Sequence, residues 1–289
     1  MIIEIGKVSL SDILMLLFIS LIIISHMNVL ESALLGLIQG LTEFLPISSS
    51  GHLILVRELL HLPLQGSLSF DVFLNTATLF AVIFCFWGDL RAIVRDLFTQ
   101  GFSTRSKTLI YALVLGTIPA GMVGFLYGDQ IEYVCRGGKT VAIALIVGSV
   151  IMFLADKLGK NKGGITPAKG FLVGVFQALA LVPGISRSGS SISGGIFAGL
   201  SREEAIKFSF LLLIPVSIGA LLKIILDFGF DNLNNISYFV SPNSIVAFFV
   251  AFLSGIWSVR FLVRYLSKNS FTPFIIYRLV LAGIILVFL

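Results

Sequence analysis

Long apolar runs separated by short polar clusters dominate the chain. Phe70 to Trp87, Thr108 to Tyr127, Thr140 to Ala155, Ile206 to Leu226, Ser244 to Leu266 and Thr272 to Leu289 each read as a helix that crosses a bilayer. Phe70 to Trp87 spans roughly 27 Å as a helix at 1.5 Å per residue. Two other apolar stretches break off midway. Val29 to Ile38 leads into the polar segment QGLTEFLPISSSGHL, Gln39 to Leu53, and a second apolar piece, Leu53 to Val56, follows it. Gly170 to Val182 is too short to cross, stops at Pro183-Gly184, and is followed by Ile192 to Leu200. Both patterns predict pairs of half-helices folded into re-entrant hairpins. Irregular backbone at that depth survives only where it is buried in protein or lines a wet cavity. Arg57 to Ser69, Asp89 to Lys107, Gly128 to Lys139 and Asp156 to Lys169 are expected to be connections. Pro119 and Pro215 fall inside predicted spans.

The two interrupted stretches are related. An offset of 138 positions brings Gly36 onto Gly174, Gln39 onto Gln177, Ile47 onto Ile185, Ser48 onto Ser186, Ser50 onto Ser188 and Gly51 onto Gly189. The reactive positions differ: Ser49 becomes Arg187, His52 becomes Ser190 and Glu43 becomes Leu181. Six identities under one offset point to an internal duplication, with repeat one at about 29–127 and repeat two at about 167–266. Membrane proteins built this way place their sites at the repeat interface, on interrupted helices.

Composition sharpens the picture. Of 289 residues, 57% are hydrophobic and 12% charged, against about 25% charged in soluble domains. The expected fold class is an all-α polytopic membrane protein with two re-entrant hairpins and about six full spans; unbroken apolar runs argue against a β-barrel. The net charge of +5 resides in loops and reads as topology, not as nucleic-acid binding. Segments 89–107 and 156–169 hold four Lys/Arg each and belong in the cytoplasm, whereas 227–243 holds none and belongs outside. This arrangement makes the two hairpins enter from opposite faces, an inverted repeat whose polar turns meet near mid-bilayer. Cys85 and Cys135 fit no metal spacing. Residues 1–26 read as an N-terminal extension, either an added helix or upstream translated sequence, before a single domain over 27–289.

The turns carry the candidate chemistry. Gln39 and Glu43, four apart, share a helix face. Ser48, Ser49, Ser50 and Gly51 open the next helix, and Ser186, Arg187, Ser188 and Gly189 repeat that arrangement with a guanidinium added. Hydroxyls and free N–H groups at a helix start form an anion cradle, and arginine matches phosphate oxygens. The predicted ligand is a phosphate or diphosphate. Glu43, with Gln39 beside it, is the candidate holder of a divalent cation, Mg²⁺ or Ca²⁺. His52 is a candidate to attack phosphorus or pass a proton. Each group also has a plain reading: the serines as helix caps, Gln39 as helix glue, Arg187 as a cytoplasmic anchor and His52 as a satisfied structural side chain. Asp71 and Asn75 open a span and are candidates for a supporting role.

At these residues the chain resembles the bacterial undecaprenyl-diphosphate phosphatase family, the integral membrane type linked to bacitracin resistance. The family's Glu/Gln followed four residues later by Glu matches Gln39 and Glu43. Its LPISSSGHL segment matches Leu45 to Leu53, and its PGxSRSxxT pattern matches Pro183 to Ser191 with serine for the final threonine. The resemblance covers about 27 to 289. It implies hydrolysis of undecaprenyl diphosphate to the monophosphate carrier and inorganic phosphate, recycling the lipid for cell-wall synthesis, in a bacterial plasma membrane. It implies a metal-dependent site open to the outer face. Carried over, Glu43, His52 and Arg187 are essential, and Gln39, Ser48, Ser49, Ser50, Ser186 and Ser188 line the site. His52, Ser49 and an activated water are all candidates for the attacking group. The expected partners are a polyprenyl diphosphate lipid and the bilayer, and a homodimer is compatible with them. The alternative is an inverted-repeat transporter or lipid-carrier flippase.

Overall fold

A computed structural model of the chain describes residues 28–62, 67–98, 103–159, 163–228 and 241–288. The N-terminal extension and most of the 227–243 connection, which has no Lys or Arg, lie outside the described residues. All regular structure within them is helical. α1 (Val29–Phe44) and α2 (Ser49–Leu59) form the first interrupted pair. α3 (Ser67–Cys85), α4 (Trp87–Phe98), α5 (Thr104–Cys135) and α6 (Gly138–Leu158) follow. α7 (Pro167–Leu179) and α8 (Arg187–Phe197) form the second interrupted pair, and α9 (Arg202–Phe228), α10 (Pro242–Leu266) and α11 (Thr272–Phe288) complete the chain.

Among the described residues, four helices are long and apolar enough to cross a membrane: α5, α6, α9 and α10. The number rises to five if α3 and α4, bent by 71° at their junction, count as one. α11 is a shorter apolar helix. The fold is therefore all-α and multi-pass. The predicted connections are partly helical. Residues 128–135 continue α5, because nothing in them breaks a helix before Gly137. Within 89–107, α4 runs to Phe98 and α5 begins at Thr104. α2 likewise extends into the predicted connection after Arg57, ending at Leu59.

Local sequence explains the breaks. α1 starts at a capping box, with Asn28 Oδ1 accepting from the Glu31 amide at 2.9 Å and Glu31 Oε2 accepting from the Asn28 amide at 2.8 Å. It stops at Leu45, which precedes Pro46 and takes extended backbone (φ −64°, ψ 140°). The 138-residue offset carries α2 end to end onto α8 and the start of α1 onto the start of α7.

The half-helices pack against the long helices with almost no spacer. α1 runs along α10 in the same direction, with Gly36 facing the Ala247 carbonyl and Gly40 the Ala251 carbonyl. α7 runs along α5 in the same way, with Gly170 facing Ala112 and Gly174 facing Gly116. A Cβ at any of these glycines would press into backbone. Small residues let helices approach closely where no hydrophobic drive separates bundle from lipid. The interior cluster, including Phe44, Met152, Ile192, Phe210 and Phe271, lies between the two interrupted pairs.

One side chain ties the breaks together. Arg278 of α11 is fully buried. Its Nη2 donates to the carbonyls of Leu145 and Gly184, both at 2.9 Å, and its Nη1 to Pro46 O at 3.4 Å. Its Nε donates to Ser149 Oγ at 3.1 Å. Pro46 and Gly184 lie in the first and second turn respectively, so one guanidinium supplies donors to both.

Two outcomes follow for purified protein in detergent. Gly36→Val and Gly174→Val each lower the melting temperature, by the equivalent of about 1–3 kcal/mol of overpacking, while Gly121→Ala, whose Cβ meets nothing, leaves it unchanged. Arg278→Met lowers it further, since carbonyls at Pro46, Leu145 and Gly184 lose their donor at about 1–3 kcal/mol each.

Candidate active site

Both turns use a serine in an unusual backbone conformation. Ser48 has φ 72° and Ser186 φ 71°, the left-handed region that non-glycine residues seldom enter. Each caps its helix: Ser48 Oγ accepts from the Gly51 amide at 3.4 Å and Ser186 Oγ from the Gly189 amide at 3.2 Å. The turns also cross-link. Gly184 N donates to Ser50 Oγ at 3.4 Å, and Ser188 Oγ donates to Leu45 O at 3.3 Å. Strain of this kind persists only where surroundings over-determine it, and it gathers at functional sites.

The cross-links place the charged residues. Arg187, at the start of α8, donates through Nη2 to Glu43 Oε1 at 2.6 Å. Glu43 Oε2 accepts from Ser49 Oγ at 2.5 Å and from Gln39 Nε2 at 2.9 Å. Gln39 Nε2 also donates to Asn75 Oδ1 of α3 at 2.6 Å. One carboxylate thus gathers a guanidinium from the second turn, a hydroxyl from the first and an amide from α1. The Glu43 and Arg187 side chains keep 12% and 20% of their surface, so the pair is accessible to a ligand yet largely dry.

His52 sits one turn beyond Ser49 on α2. Its Nδ1 lies 2.7 Å from Ser48 O and its Nε2 2.7 Å from the Tyr277 hydroxyl. A carbonyl can only accept, so Nδ1 carries the hydrogen; in the neutral ring Nε2 then accepts from Tyr277. His52 therefore does not bond Glu43 or Arg187 directly. Among the remaining predicted residues, Ser48, Ser186, Gly51 and Gly189 form the caps, and Ser50 and Ser188 the cross-links.

Sequence reasoning left out Tyr277 and Arg278, adjacent residues of α11 that serve His52 and the two turns respectively. The signal available was a basic residue inside an otherwise apolar 17-residue helix, costly there by about 2.5–3.5 kcal/mol. Asn75 takes the supporting role considered for it. Asp71, one turn before it on α3, instead forms a paired bridge with Arg57, at 2.9 and 2.5 Å, and receives Arg136 at 3.2 Å.

The donor set around Glu43 fits a divalent ion of the kind that shares its coordination with phosphate. Among the described residues no group of three His, Cys, Asp or Glu could form an all-protein cage. Three of the roughly four lone-pair sites of Glu43 are taken, two on Oε2 and one on Oε1, which leaves one on Oε1, the oxygen that Arg187 holds. Mg²⁺ characteristically binds through one or two carboxylates plus substrate oxygens.

Comparison with known proteins identifies the family. The chain is 41% identical over 262 residues to an undecaprenyl-diphosphatase of Elusimicrobium minutum, covering 90% of this chain and 98% of that one. It is 39% identical over 272 residues to an undecaprenyl-diphosphatase of Campylobacter curvus, covering 91% and 99%. It is also 39% identical over 268 residues to undecaprenyl-diphosphatase 2 of Bacillus thuringiensis, covering 90% and 98%. The family model described as Bacitracin resistance protein BacA matches residues 32–284, both turns and Tyr277-Arg278 included, and the chain belongs to that family.

Proposed function

We propose that this protein hydrolyses undecaprenyl diphosphate to undecaprenyl phosphate and inorganic phosphate, in a bacterial plasma membrane that it crosses several times. The observation that carries the reading is the meeting of Arg187, Ser49 and Gln39 on the Glu43 carboxylate, in a family whose members include undecaprenyl-diphosphatases.

The chemistry follows from those contacts. Arg187 holds the oxygens of the terminal phosphoryl group, whose charge spreads in the transition state. Ser49 Oγ attacks that phosphorus as its proton passes to Glu43 Oε2, the arrangement of a nucleophile with an adjacent base. The bridging P–O bond breaks and the polyprenyl monophosphate leaves. Water then cleaves the phosphoserine, restoring Ser49 and releasing phosphate. His52, held through Ser48 O and Tyr277, takes a proton at Nε2 by way of the Tyr277 hydroxyl that bonds it. Gln39 and Glu43 would hold a divalent ion, which would neutralise phosphate oxygens and polarise phosphorus.

The reading includes an inverted repeat with two re-entrant hairpins and six spans, α3 and α11 among them. The parallel pairing of α1 with α10 and of α7 with α5 supports it. The basic residues of 89–107 and 156–169 support a cytoplasmic placement of those segments and a site facing outward.

The deciding experiment is phosphate release from undecaprenyl diphosphate by purified protein. Absence of release, with lipid translocation in sealed vesicles, would establish a flippase instead. Glu43→Gln, Arg187→Lys and Ser49→Ala each lower kcat/KM by at least about 10²-fold, the scale of a lost electrostatic or acid–base contribution. Their melting temperatures stay close to the unsubstituted protein. Chelation suppresses release, and Mg²⁺ or Ca²⁺ restores it. Tyr277→Phe lowers kcat about tenfold in a His52 background and has no further effect on His52→Ala, because Tyr277 acts through the imidazole.

A further inference from the structure

The α4 helix takes no part in the site, yet its surface is ordered. It leaves α3 at 71°. If α3 stands across the bilayer, α4 lies close to the plane of its surface. Its two acidic residues are tied to the bundle. Asp89 bonds Lys207 of α9 at 2.5 Å, and Asp96 accepts from Ser103 at 3.0 Å and Ser106 at 2.6 Å. On the opposite side Trp87, Val94 and Phe98 are exposed by 61%, 52% and 86%. At helical spacing these three fall on one narrow stripe. Arg91 and Arg95, both exposed, flank the stripe.

We infer that α4 is an interfacial helix whose outward face binds the anionic phospholipid surface of the leaflet on its side. The stripe enters the boundary between headgroups and acyl chains, and Arg91 and Arg95 pair with headgroup phosphates. Three features select this occupant over another protein. An aromatic edge with arginine margins is the chemistry of a bilayer interface. The charge suits an anionic surface, since Asp89 is paired with Lys207 and Asp96 is turned to Ser103 and Ser106 on the side opposite the arginines. The neighbouring start of α5 adds exposed Arg105 and Lys107 on the same side, which extends the basic surface. The inference does not depend on the proposed reaction.

Trp87 provides the probe. With Trp257→Phe it is the sole tryptophan of the chain. In nanodiscs containing phosphatidylglycerol, its emission is quenched strongly by lipids brominated near the headgroup and weakly by bromines deep in the chain or by aqueous iodide. In mixed phosphatidylcholine–phosphatidylglycerol discs, retention of phosphatidylglycerol by the purified protein falls roughly tenfold in the Arg91→Gln/Arg95→Gln variant, the scale for two surface cations. Phosphate release by that variant, measured in detergent, stays unchanged. Quenching of Trp87 by iodide alone would show a water-exposed arm and overturn the inference. Shielding from both quenchers would show a protein cover and overturn it as well. Unaltered lipid retention in the double variant would remove the headgroup half of the claim.

Discussion

A helix that stops inside a packed bundle leaves carbonyl and amide groups away from water, and α1 and α7 of this protein both stop there. That constraint explains its least expected side chain. Arg278 carries five N–H donors and no acceptor, and its hydrogen bonds end on carbonyls of both turns, on α6 carbonyls and on Ser149. The carbonyl ends of α1 and α7 are also the negative ends of those helices. A guanidinium between them is stabilised by dipoles instead of a carboxylate. Serine caps and the Ser50 cross-link satisfy amides of the same breaks, and Ser188 donates to one more carbonyl, that of Leu45. The turns are therefore fixed relative to each other before any ligand arrives.

That rigidity is what gives the Glu43–Arg187 pair its use. A partly buried ion pair is weak evidence for stability, because taking both charges out of water offsets much of their attraction. Here the two partners come from different half-helix pairs. On the proposed reading, an anionic phosphoryl group competes with Glu43 for Arg187, and each charge is neutralised by the other until substrate arrives. Electrostatic catalysis needs donors already placed where charge will develop, and the tethered turns supply this.

Much of the architecture was legible in the sequence for a physical reason: polar residues at membrane depth are expensive, so a stretch such as Gln39 to Leu53 stands out against its surroundings. The offset between the turns was enough to anticipate that Arg187 and Glu43 would be neighbours. Asn75 and Asp71 were noticed for the same reason. Tyr277 and Arg278 were not singled out, because they sit within a helix that is otherwise uniformly apolar and far from both turns in sequence. Only packing reveals that α11 delivers them. The division of labour among the serines was also hidden. SSSG carries three chemically identical hydroxyls, and only backbone direction assigns Ser49 to the carboxylate, Ser48 to the cap and Ser50 to the opposite turn. The α4 helix was concealed in a stretch whose charges read as a loop.

On the proposed duplication, the differences between the copies are as informative as the identities. The second turn keeps the scaffold positions, Ser186, Ser188 and Gly189, and keeps Gln177 at the place of Gln39. It gives up the carboxylate, with Leu181 at the position of Glu43, and Asn75 meets Leu213 under the same offset. Gln177 is buried, and its amide atoms have no hydrogen-bond partner among the described residues. A buried unpaired amide is destabilising, so its presence has no account in terms of packing alone. It is accounted for if both copies once presented the same polar set and only one retained the acid. Two acids facing each other would repel in so dry a site, and two guanidiniums would do the same. One of each makes a neutral pair across the interface. Asymmetry at positions 43, 49 and 187, on a scaffold that stays symmetric, is thus the arrangement that lets two opposed turns share a single diphosphate.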